Sequence, residues 1–400
     1  GGREHAMAWK LIQSQKITEL IVAPGNAGTA EIGENVPVMA DDLDGLLTIA
    51  KTRSIDLTVV GPEQPLIDGI SELFHRHGLK IFGPSKNAAR IEGSKIWSND
   101  LMVKYAIPTA DSVAFSESKK AIDYALARPE GSLVVKADGP AAGKGVLLPD
   151  TYEDLEIAVK GMLDGASFGE SSSSLLLAER MSGPEVSVFA FLDGETVSAE
   201  IAACDYKRIG EGDTGLNTGG VGAYTPPEFW TDELADRVRM EILEPTARAL
   251  VAENSAYSGV LYVGLMITSS GPRVIEFNCR LGDPECQVLM PKLVNDFLEI
   301  CLAVAEGRLG QQEVIWSDLA CTFVVMTSDG YPGNYETGAT ITGVQQASEH
   351  GLVVHAGTSK QSDGALVTDG GRVLGVVGSG ETIGGSRVAA YAGVEKIFFR

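Results

Sequence analysis

Short apolar runs alternate with amphipathic helical patterns along residues 1–92. Apolar side chains recur at helical spacing in residues 3–14. Apolar β-branched runs that end in Gly or Pro predict strands, and the amphipathic segments between them predict helices. The predicted strands are 19–23, 57–60 and 80–82, and the predicted helices are 42–52 and 65–77. This alternation indicates a parallel, doubly wound α/β sheet, in which ligands bind at the carboxyl ends of the strands.

The pattern changes at Gly93, where a helix is predicted from residue 95 to about residue 105. Within the strand–helix–strand series that follows, residues 133–148 form two apolar runs around a Gly- and Ala-rich loop that carries Lys136 and Lys144. A strand, a tight loop and a second strand are predicted, and small residues let backbone N–H groups close on an anion.

The lysine loop does not match a P-loop. A P-loop has four residues between its glycines and Ser or Thr after its lysine. Here three residues separate Gly139 from Gly143, and Gly145 follows Lys144. A phosphate-binding loop and a plain glycine-rich hairpin with solvated lysines both remain open on this stretch alone.

Residues 204–224 are polar and dense in glycine, and they are too long for a hairpin turn. Loops of this length are commonly functional. Asn, Thr and Gly donors beside Lys207 and Arg208 predict recognition of a phosphate or a sugar.

After a helix predicted at 232–253 come strands at 260–268 and 274–277. Glu276 and Asn278 flank Phe277, so their side chains share one face of the strand. Two oxygen ligands in this arrangement suit a hard cation such as Mg²⁺. Arg280 lies on the same face and can meet a developing phosphoryl charge. An exposed, charged strand face is the alternative, which the apolar neighbours of these residues disfavour.

The turn 282–285 leads to a helix predicted at 290–306, and residues 316–400 read as short strands with two helices. We expect this last part to be a closing α+β domain with little catalytic chemistry of its own. A chain of 400 residues is long enough for two to four domains.

Composition excludes several classes of function. The net charge of −22 opposes non-specific binding to nucleic acid or to an anionic membrane. No apolar run approaches the roughly 18 residues of a membrane span. The five cysteines are odd in number and widely spaced, which favours a reducing cytoplasm over a disulfide framework. Because the chain opens at Gly1 without methionine, we expect that it is trimmed at both ends.

Lys95, the lysine loop, the turn between Glu179 and Glu185, and Glu276–Asn278 occur in the order of the ATP-grasp superfamily, which the chain resembles. Further motifs resemble the phosphoribosylamine–glycine ligase family within it: 1–6, 24–29, 61–63, 136–139, 213–224 and 276–285. This resemblance implies an N-terminal doubly wound domain at 1–92, an ATP-grasp domain at 93–315 with a mobile lid subdomain at about 112–182, and a small C-terminal α+β domain at 316–400.

The resemblance also implies roles for individual residues. Lys95, Lys136 and Lys144 bind ATP phosphates, and the 141–145 loop closes over them. Glu179 and Met181 read the adenine through their backbone, and Glu185 takes the ribose hydroxyls. Glu276 and Asn278 hold Mg²⁺ or Mn²⁺, and Asn278 also contacts the nucleotide. The implied catalytic residues are Arg280, Lys136 and Asp283. The implied substrate-binding residues are Gly2, Arg3, Glu4, Gly25, Asn26, Gly61, Glu63, Asp205, Lys207, Arg208, Asp213, Asn217, Thr218, Gly219, Gly220 and Asp283.

The reaction implied is ATP-dependent joining of glycine to 5-phosphoribosylamine through glycyl phosphate. We expect no nucleic-acid or membrane partner, and a monomer or weak homodimer in the cytoplasm. Three alternatives are weighed against it. A carboxylase-type ATP-grasp enzyme is disfavoured by 213–224, and a catalytically silent nucleotide binder by retention of Lys136, Glu276, Asn278 and Arg280. A nicotinamide-dependent oxidoreductase is disfavoured because no complete G-x-G-x-x-G is visible.

Overall fold

The computed structural model describes residues 1–139, 145–165, 173–212 and 214–400. Its N-terminal part is built from two short pairs of parallel strands and the helices around them. Strand β1 (Ile21–Val22) pairs with β2 (Glu34–Asn35), and β3 (Thr58–Val59) pairs with β4 (Ile81–Phe82). The helices are α1 (Gly2–Leu11), α2 (Leu43–Thr52), α3 (Glu63–Asp68), α4 (Ile70–Arg76) and α5 (Lys86–Gly93).

A four-stranded antiparallel sheet, the lid sheet, follows helix α6 (Lys95–Lys104). Its strands are β5 (Ser112–Phe115), β6 (Leu133–Ala137), β7 (Val146–Leu147) and β8 (Leu175–Glu179), in the order β5-β8-β6-β7. Helices α7 (Ser118–Leu126) and α8 (Tyr152–Leu163) pack on one face. This unit has an apolar core separate from the cores of the rest of the chain. The two predicted strands are confirmed by β6 and β7, whereas the loop predicted between them falls on 140–144, which with Lys144 lies outside the described residues.

The largest sheet has nine strands, all paired antiparallel. Its strands are β9 (Glu185–Asp193), β10 (Thr196–Val197), β11 (Ile201–Asp205), β14 (Gly222–Thr225), β15 (Ser258–Thr268), β16 (Gly271–Asn278), β17 (Ala320–Thr327), β18 (Leu352–His355) and β21 (Arg372–Gly380). The order is β16-β15-β9-β11-β14-β17-β21-β18, and β10 pairs with β9. Because β14 pairs with β17, the C-terminal strands extend the same sheet that carries Glu276 and Asn278.

Two antiparallel hairpins stand outside these sheets: β12 (Arg208–Gly210) with β13 (Thr214–Asn217), and β19 (Thr358–Lys360) with β20 (Leu366–Thr368). The remaining helices are α9 (Asp232–Val238), α10 (Glu244–Ala252), α11 (Glu285–Leu289), α12 (Phe297–Ala305), α13 (Val344–Ala347) and α14 (Ile383–Val394). A π-helical turn at Arg239–Leu243 joins α9 to α10. Among the described residues, no helix combines the length and apolar character needed to cross a bilayer.

Three of the predicted elements were wrong in detail. The helix predicted at 65–77 is two helices, because Gly69 adopts φ +96° and ends α3. The helix predicted at 290–306 begins at Phe297, where the Asp296 carboxylate caps it by accepting the Leu298 N–H at 3.0 Å. The 204–224 segment is not a continuous loop, since it contains the exposed hairpin β12–β13.

Helix α12 packs under the large sheet through an aromatic cluster. The Phe297 ring lies 6.3 Å from the rings of both Phe82 and Phe191, measured between centroids. All three side chains are buried, so the cluster joins strand β4 of the N-terminal part to the large sheet.

We predict that Phe297→Ala lowers the free energy of unfolding by about 3–5 kcal/mol, because it removes a fully buried ring and leaves a cavity. Urea unfolding followed by circular dichroism measures the change. Phe398→Ala, at a ring that is 68% exposed, is the matched control and should leave the transition nearly unchanged. Equal destabilisation by the two variants would contradict this view of the core.

Candidate functional site

A cavity of about 400 Å³ lies where strand β16 ends, between the lid sheet, helix α6 and the N-terminal part. Nine of the residues implied by the resemblance line it: Arg3, Glu63, Lys95, Lys136, Gly219, Glu276, Asn278, Arg280 and Asp283. They come from segments far apart in the chain, and they include seven of the fifteen charged residues expected from the sequence.

The two described lysines lie on the lid side of the cavity. Lys136 is buried on β6, and its Nζ donates to the backbone oxygen of Ile275 at 2.9 Å. Lys95 opens α6, and its Nζ donates to the backbone oxygen of Gly139 at 3.2 Å. Burial lowers the pKa of Lys136, the nearby Lys95 lowers it further, and Glu276 opposes both. Both ammonium groups can therefore donate to an anionic ligand in place of these backbone oxygens.

Glu276 and Asn278 face this cavity from the end of β16, as their alternation predicts. The Asn278 Oδ1 atom accepts a hydrogen bond from Arg280 Nη2 at 3.2 Å. Among the described residues, no three His, Cys, Asp or Glu side chains are grouped to hold a metal ion. The pair is a hard-oxygen donor set at a cavity wall, which fits a cation that takes its other ligands from phosphate and water.

Arg280 is held between two carboxylates of the N-terminal part. Its Nε donates to Glu63 Oε2 at 3.1 Å, and its Nη2 donates to Glu92 Oε1 at 3.1 Å. Burial disfavours the charge of Arg280, but Glu92 and Glu63 outweigh it and raise the pKa of the guanidinium. Burial also raises the pKa of Glu63, yet Arg280 overcomes that effect, so the pKa of this carboxyl is lowered.

Asp283 and the 217–220 segment are held by a residue of the C-terminal part. Arg372 Nη2 donates to Asp283 Oδ2 at 2.8 Å, and Arg372 Nη1 donates to the backbone oxygen of Gly219 at 2.6 Å. Tyr331 Oη accepts the Gly219 N–H at 3.0 Å. Gly220 adopts φ +100° beside Pro284, and a Cβ at this position would overlap the proline ring, so only glycine fits there.

The glycine-rich segments of the N-terminal part border the cavity but do not all line it. Asn26 uses its amide for structure: its Oδ1 accepts from Gly28 and Thr29, and its Nδ2 donates to the His355 and Ala356 oxygens. Arg3 reaches the Leu281 oxygen at 3.1 Å and its Nε pairs with Glu4 at 2.8 Å. Of the predicted residues here, Gly2, Glu4, Gly25, Asn26 and Gly61 do not line the cavity.

Other predicted residues lie further from the cavity lining. Glu179 is bound by Arg273 at 3.1 Å, and Glu185 by Lys207 at 2.9 Å. The other predicted residues that the structure describes away from the cavity lining are Met181, Asp205, Lys207, Arg208, Asn217, Thr218 and Gly220. Thr218 Oγ1 accepts the Gly220 N–H at 3.0 Å and so shapes the segment that contributes Gly219. Asp213 lies outside the described residues.

Asp205 belongs to a second group of carboxylates, beside Glu285. Glu285 is buried and accepts hydrogen bonds from Ser187 Oγ at 3.0 Å and Tyr262 Oη at 2.9 Å. Burial and the charge of Glu285 raise the pKa of Asp205 to about 7, although Lys207 opposes the change.

Two charged residues that line the cavity, Glu92 and Arg372, were not predicted from the sequence. Residues 316–400 were expected to carry little catalytic chemistry, and in the structure this part adds the Arg372 guanidinium to the cavity wall. The motif signal was weak for both, because neither belongs to a run of chemistry-bearing residues. They are identified as site residues by their contacts in the structure, Glu92 with Arg280 and Arg372 with Asp283.

Comparisons with known proteins identify the family of the chain. Sequence models of phosphoribosylglycinamide synthetase match the chain in three parts: the N domain at residues 1–92, the ATP-grasp (A) domain at 93–286 and the C domain at 321–400. The phosphoribosylamine–glycine ligase of Pasteurella multocida is 46% identical over 99% of this chain and 93% of its own. That of Escherichia coli K12 is 45% identical over 98% of this chain and 92% of its own.

Solved structures give the same result. A phosphoribosylamine–glycine ligase from Thermotoga maritima superposes with a TM-score of 0.86 at 33% identity, covering 100% of this chain and 96% of that one. A biotin carboxylase from Campylobacter jejuni has a TM-score of 0.73 at 14% identity, covering 99% of this chain and 90% of that one. The second likeness is one of fold alone.

We predict that Arg372→Lys speeds amide hydrogen exchange in residues 217–220 by roughly tenfold or more. A lysine cannot hold the Asp283 carboxylate and the Gly219 oxygen together, and a lost charge-assisted hydrogen bond costs about 1.5–3 kcal/mol. Exchange followed by mass spectrometry measures it, with the exposed Arg387→Lys as control. Unchanged protection in this segment would show that Arg372 does not hold it.

We predict that Asp205→Asn stabilises the protein more at pH 8 than at pH 5. The folded-state pKa of about 7 exceeds the ordinary aspartate value, so the folded state keeps a proton that the unfolded chain has lost. The unsubstituted protein thus loses stability as the pH rises from about 4 to 7, and the amide removes that loss. Urea unfolding at the two pH values tests it, with the exposed Asp41→Asn as control. A pH-independent difference would refute the raised pKa.

Proposed function

The chain belongs to the phosphoribosylamine–glycine ligase family and joins glycine to phosphoribosylamine in purine biosynthesis as an ATP-dependent enzyme; on this premise we propose which of its residues carry the reaction. The observation that supports the assignment is the placement of Glu276, Asn278, Arg280 and Lys136 around one cavity.

The proposed chemistry has two steps. A glycine carboxylate oxygen attacks the γ-phosphorus of ATP, so that an O–P bond forms, the bond to the β-phosphate oxygen breaks, and glycyl phosphate and ADP result. The amine of phosphoribosylamine then attacks the glycyl carbon. The amide C–N bond forms, phosphate leaves, and the amine gives its proton to solvent. Positioning and charge neutralisation dominate such reactions.

Lys136 and Lys95 are proposed to hold the ATP phosphates. Their ammonium groups now donate to the Ile275 and Gly139 oxygens, and phosphate oxygens are stronger acceptors than neutral carbonyls. The burial that lowers the pKa of Lys136 also strengthens its attraction for an anion, because little water screens the pair. Lys144 and the 141–145 loop stay a prediction for closing this end of the site.

Glu276 and Asn278 are proposed to hold Mg²⁺ or Mn²⁺ by their side-chain oxygens. When bound, the cation supplies charge neutralisation for the phosphates. Arg280, beside Asn278, is proposed to stabilise charge on the transferred phosphoryl group. Asp283, fixed by Arg372, is proposed to orient the substrates with Gly219.

The remaining assignments also stay predictions. Two groups of residues are proposed to line the phosphoribosylamine and glycine pockets. From the N-terminal part they are Gly2, Arg3, Glu4, Gly25, Asn26, Gly61 and Glu63, and from the 205–220 segment Asp205, Lys207, Arg208, Asp213, Asn217, Thr218 and Gly220. Glu179, Met181 and Glu185 are proposed for the nucleoside. We likewise propose the domain limits 1–92, 93–315 and 316–400, a monomer or weak homodimer, and a cytoplasmic location.

We predict that phosphate release from ATP needs Mg²⁺, glycine and freshly generated phosphoribosylamine together, and that omission of any one abolishes it. Glu276→Ala should lower turnover by about 10²-fold or more and raise the Mg²⁺ concentration for half-maximal rate, because it removes a charged ligand. A coupled phosphate assay with each component omitted in turn measures both effects.

The control variant is Glu349→Ala, at an exposed carboxylate that does not line the cavity. It should match the unsubstituted protein in rate and in Mg²⁺ requirement. Full turnover in Glu276→Ala with an unchanged Mg²⁺ requirement would refute the proposed cation site. ATP binding without turnover in any combination of substrates would overturn the assignment of the cavity.

A further inference from the structure

Arg280 is held by two carboxylates whose surroundings differ. Glu63 is the first residue of α3, and its side chain is 31% exposed. Glu92 is the penultimate residue of α5, and its side chain is 12% exposed. Both line the cavity, but only Glu63 is open enough to exchange its partner for an incoming ligand.

Glu92 holds both the side chain of Arg280 and the backbone that precedes it. Its Oε1 atom accepts from the guanidinium Nη2 at 3.1 Å, and its Oε2 atom accepts the backbone N–H of Cys279 at 2.7 Å. One side chain thus fixes both the head of Arg280 and the backbone immediately before it. Each of the two carboxylate oxygens is thus engaged with the segment that carries Arg280.

The position of Glu92 is unfavourable for stability on its own. Burial raises the pKa of this carboxyl, and the nearby Glu63 charge raises it further, while Arg280 only partly compensates. A carboxylate near the carboxyl end of a helix also opposes the helix dipole, whereas Glu63 at the start of α3 is favoured by it. Because this placement costs stability, a functional role of Glu92 explains it better than a role in folding.

We propose that Glu92 is a positioning residue that keeps the Arg280 guanidinium aimed into the cavity, while Glu63 is the carboxylate from which Arg280 is released when a substrate binds. This inference rests on the proposed role of Arg280 at the transferred phosphoryl group. Because Glu92 holds the guanidinium by a charge-assisted hydrogen bond, Arg280 is already oriented before the charge develops.

The test compares Glu92→Gln with Glu200→Gln in the full chain. In Glu92→Gln the side-chain oxygen can still accept the Cys279 N–H, but the new amide nitrogen then faces the guanidinium. Glu200 is the matched control, because its side chain is also 12% exposed and accepts from Arg239 at 2.6 Å, away from the cavity. Both variants therefore lose one part-buried carboxylate–arginine pair.

We expect E92Q to lower kcat by roughly 10–100-fold with KM for ATP changed by less than about twofold, since supporting partners of a reactive group commonly have effects of that size. E200Q should keep kcat, whatever its thermal stability. E63Q should raise KM for glycine or phosphoribosylamine more than it lowers kcat. Glu92→Asp, which keeps the charge on a shorter stem, should fall between E92Q and the unsubstituted protein.

Arg280→Lys separates failure of this inference from failure of the proposed function. If R280K turns over normally, Arg280 has no role in the reaction. Its proposed role at the transferred phosphoryl group and the positioning role of Glu92 are then both overturned. If R280K is impaired while E92Q keeps its kcat, only the positioning role of Glu92 is overturned. Equal losses of kcat in E92Q and E200Q would likewise overturn it, by showing a general effect of losing such pairs. Should E92Q fail to fold, Glu92→Asp against Glu200→Asp makes the same comparison.

Discussion

The structure depends on arginine side chains that are paired with carboxylates and carbonyl oxygens around residues 279–284, the segment that links β16 to α11. Arg280 sits on this segment, Arg3 reaches it from α1 and Arg372 from β21. A part-buried guanidinium costs free energy unless carboxylates and carbonyl oxygens surround it. The groups that satisfy Arg280 and Arg372 come from other parts of the chain, so the three parts must assemble before the site has its charges in place.

This requirement explains how a chain of net charge −22 can build a cavity with positive groups in its wall, as the site proposed for anionic substrates needs. The positive groups are few and are held individually: Lys136 and Lys95 by backbone oxygens, and Arg280 by Glu63 and Glu92. Oriented donors in a partly buried cavity act more strongly than the same charges in water. The long-range field of the surface therefore matters less than the local geometry.

Much of this could be predicted from the sequence where the signal is local. The alternation of Glu276, Phe277 and Asn278 predicts their faces, and the Gly- and Ala-rich stretch predicts the strands around the lysine loop. The hairpin β12–β13 was not predicted because β13 is exposed along its whole length, so no apolar alternation marks it. Glu92 was not predicted because its partner lies 188 residues away, and local patterns carry no information about such a contact.

The C-terminal part illustrates the same point at the level of the fold. Its strands were predicted to form a closing α+β domain, and in the structure they also extend the large sheet, because β17 pairs with β14 and β21 pairs with β17. Arg372 begins β21 and Tyr331 follows β17, so the extended sheet places both against the 217–220 segment. The pairing of β21 with β17 in the C-terminal part thereby determines the position of Gly219 and Asp283 in the cavity. The geometry of this cavity wall is therefore a property of the whole sheet rather than of the ATP-grasp part alone.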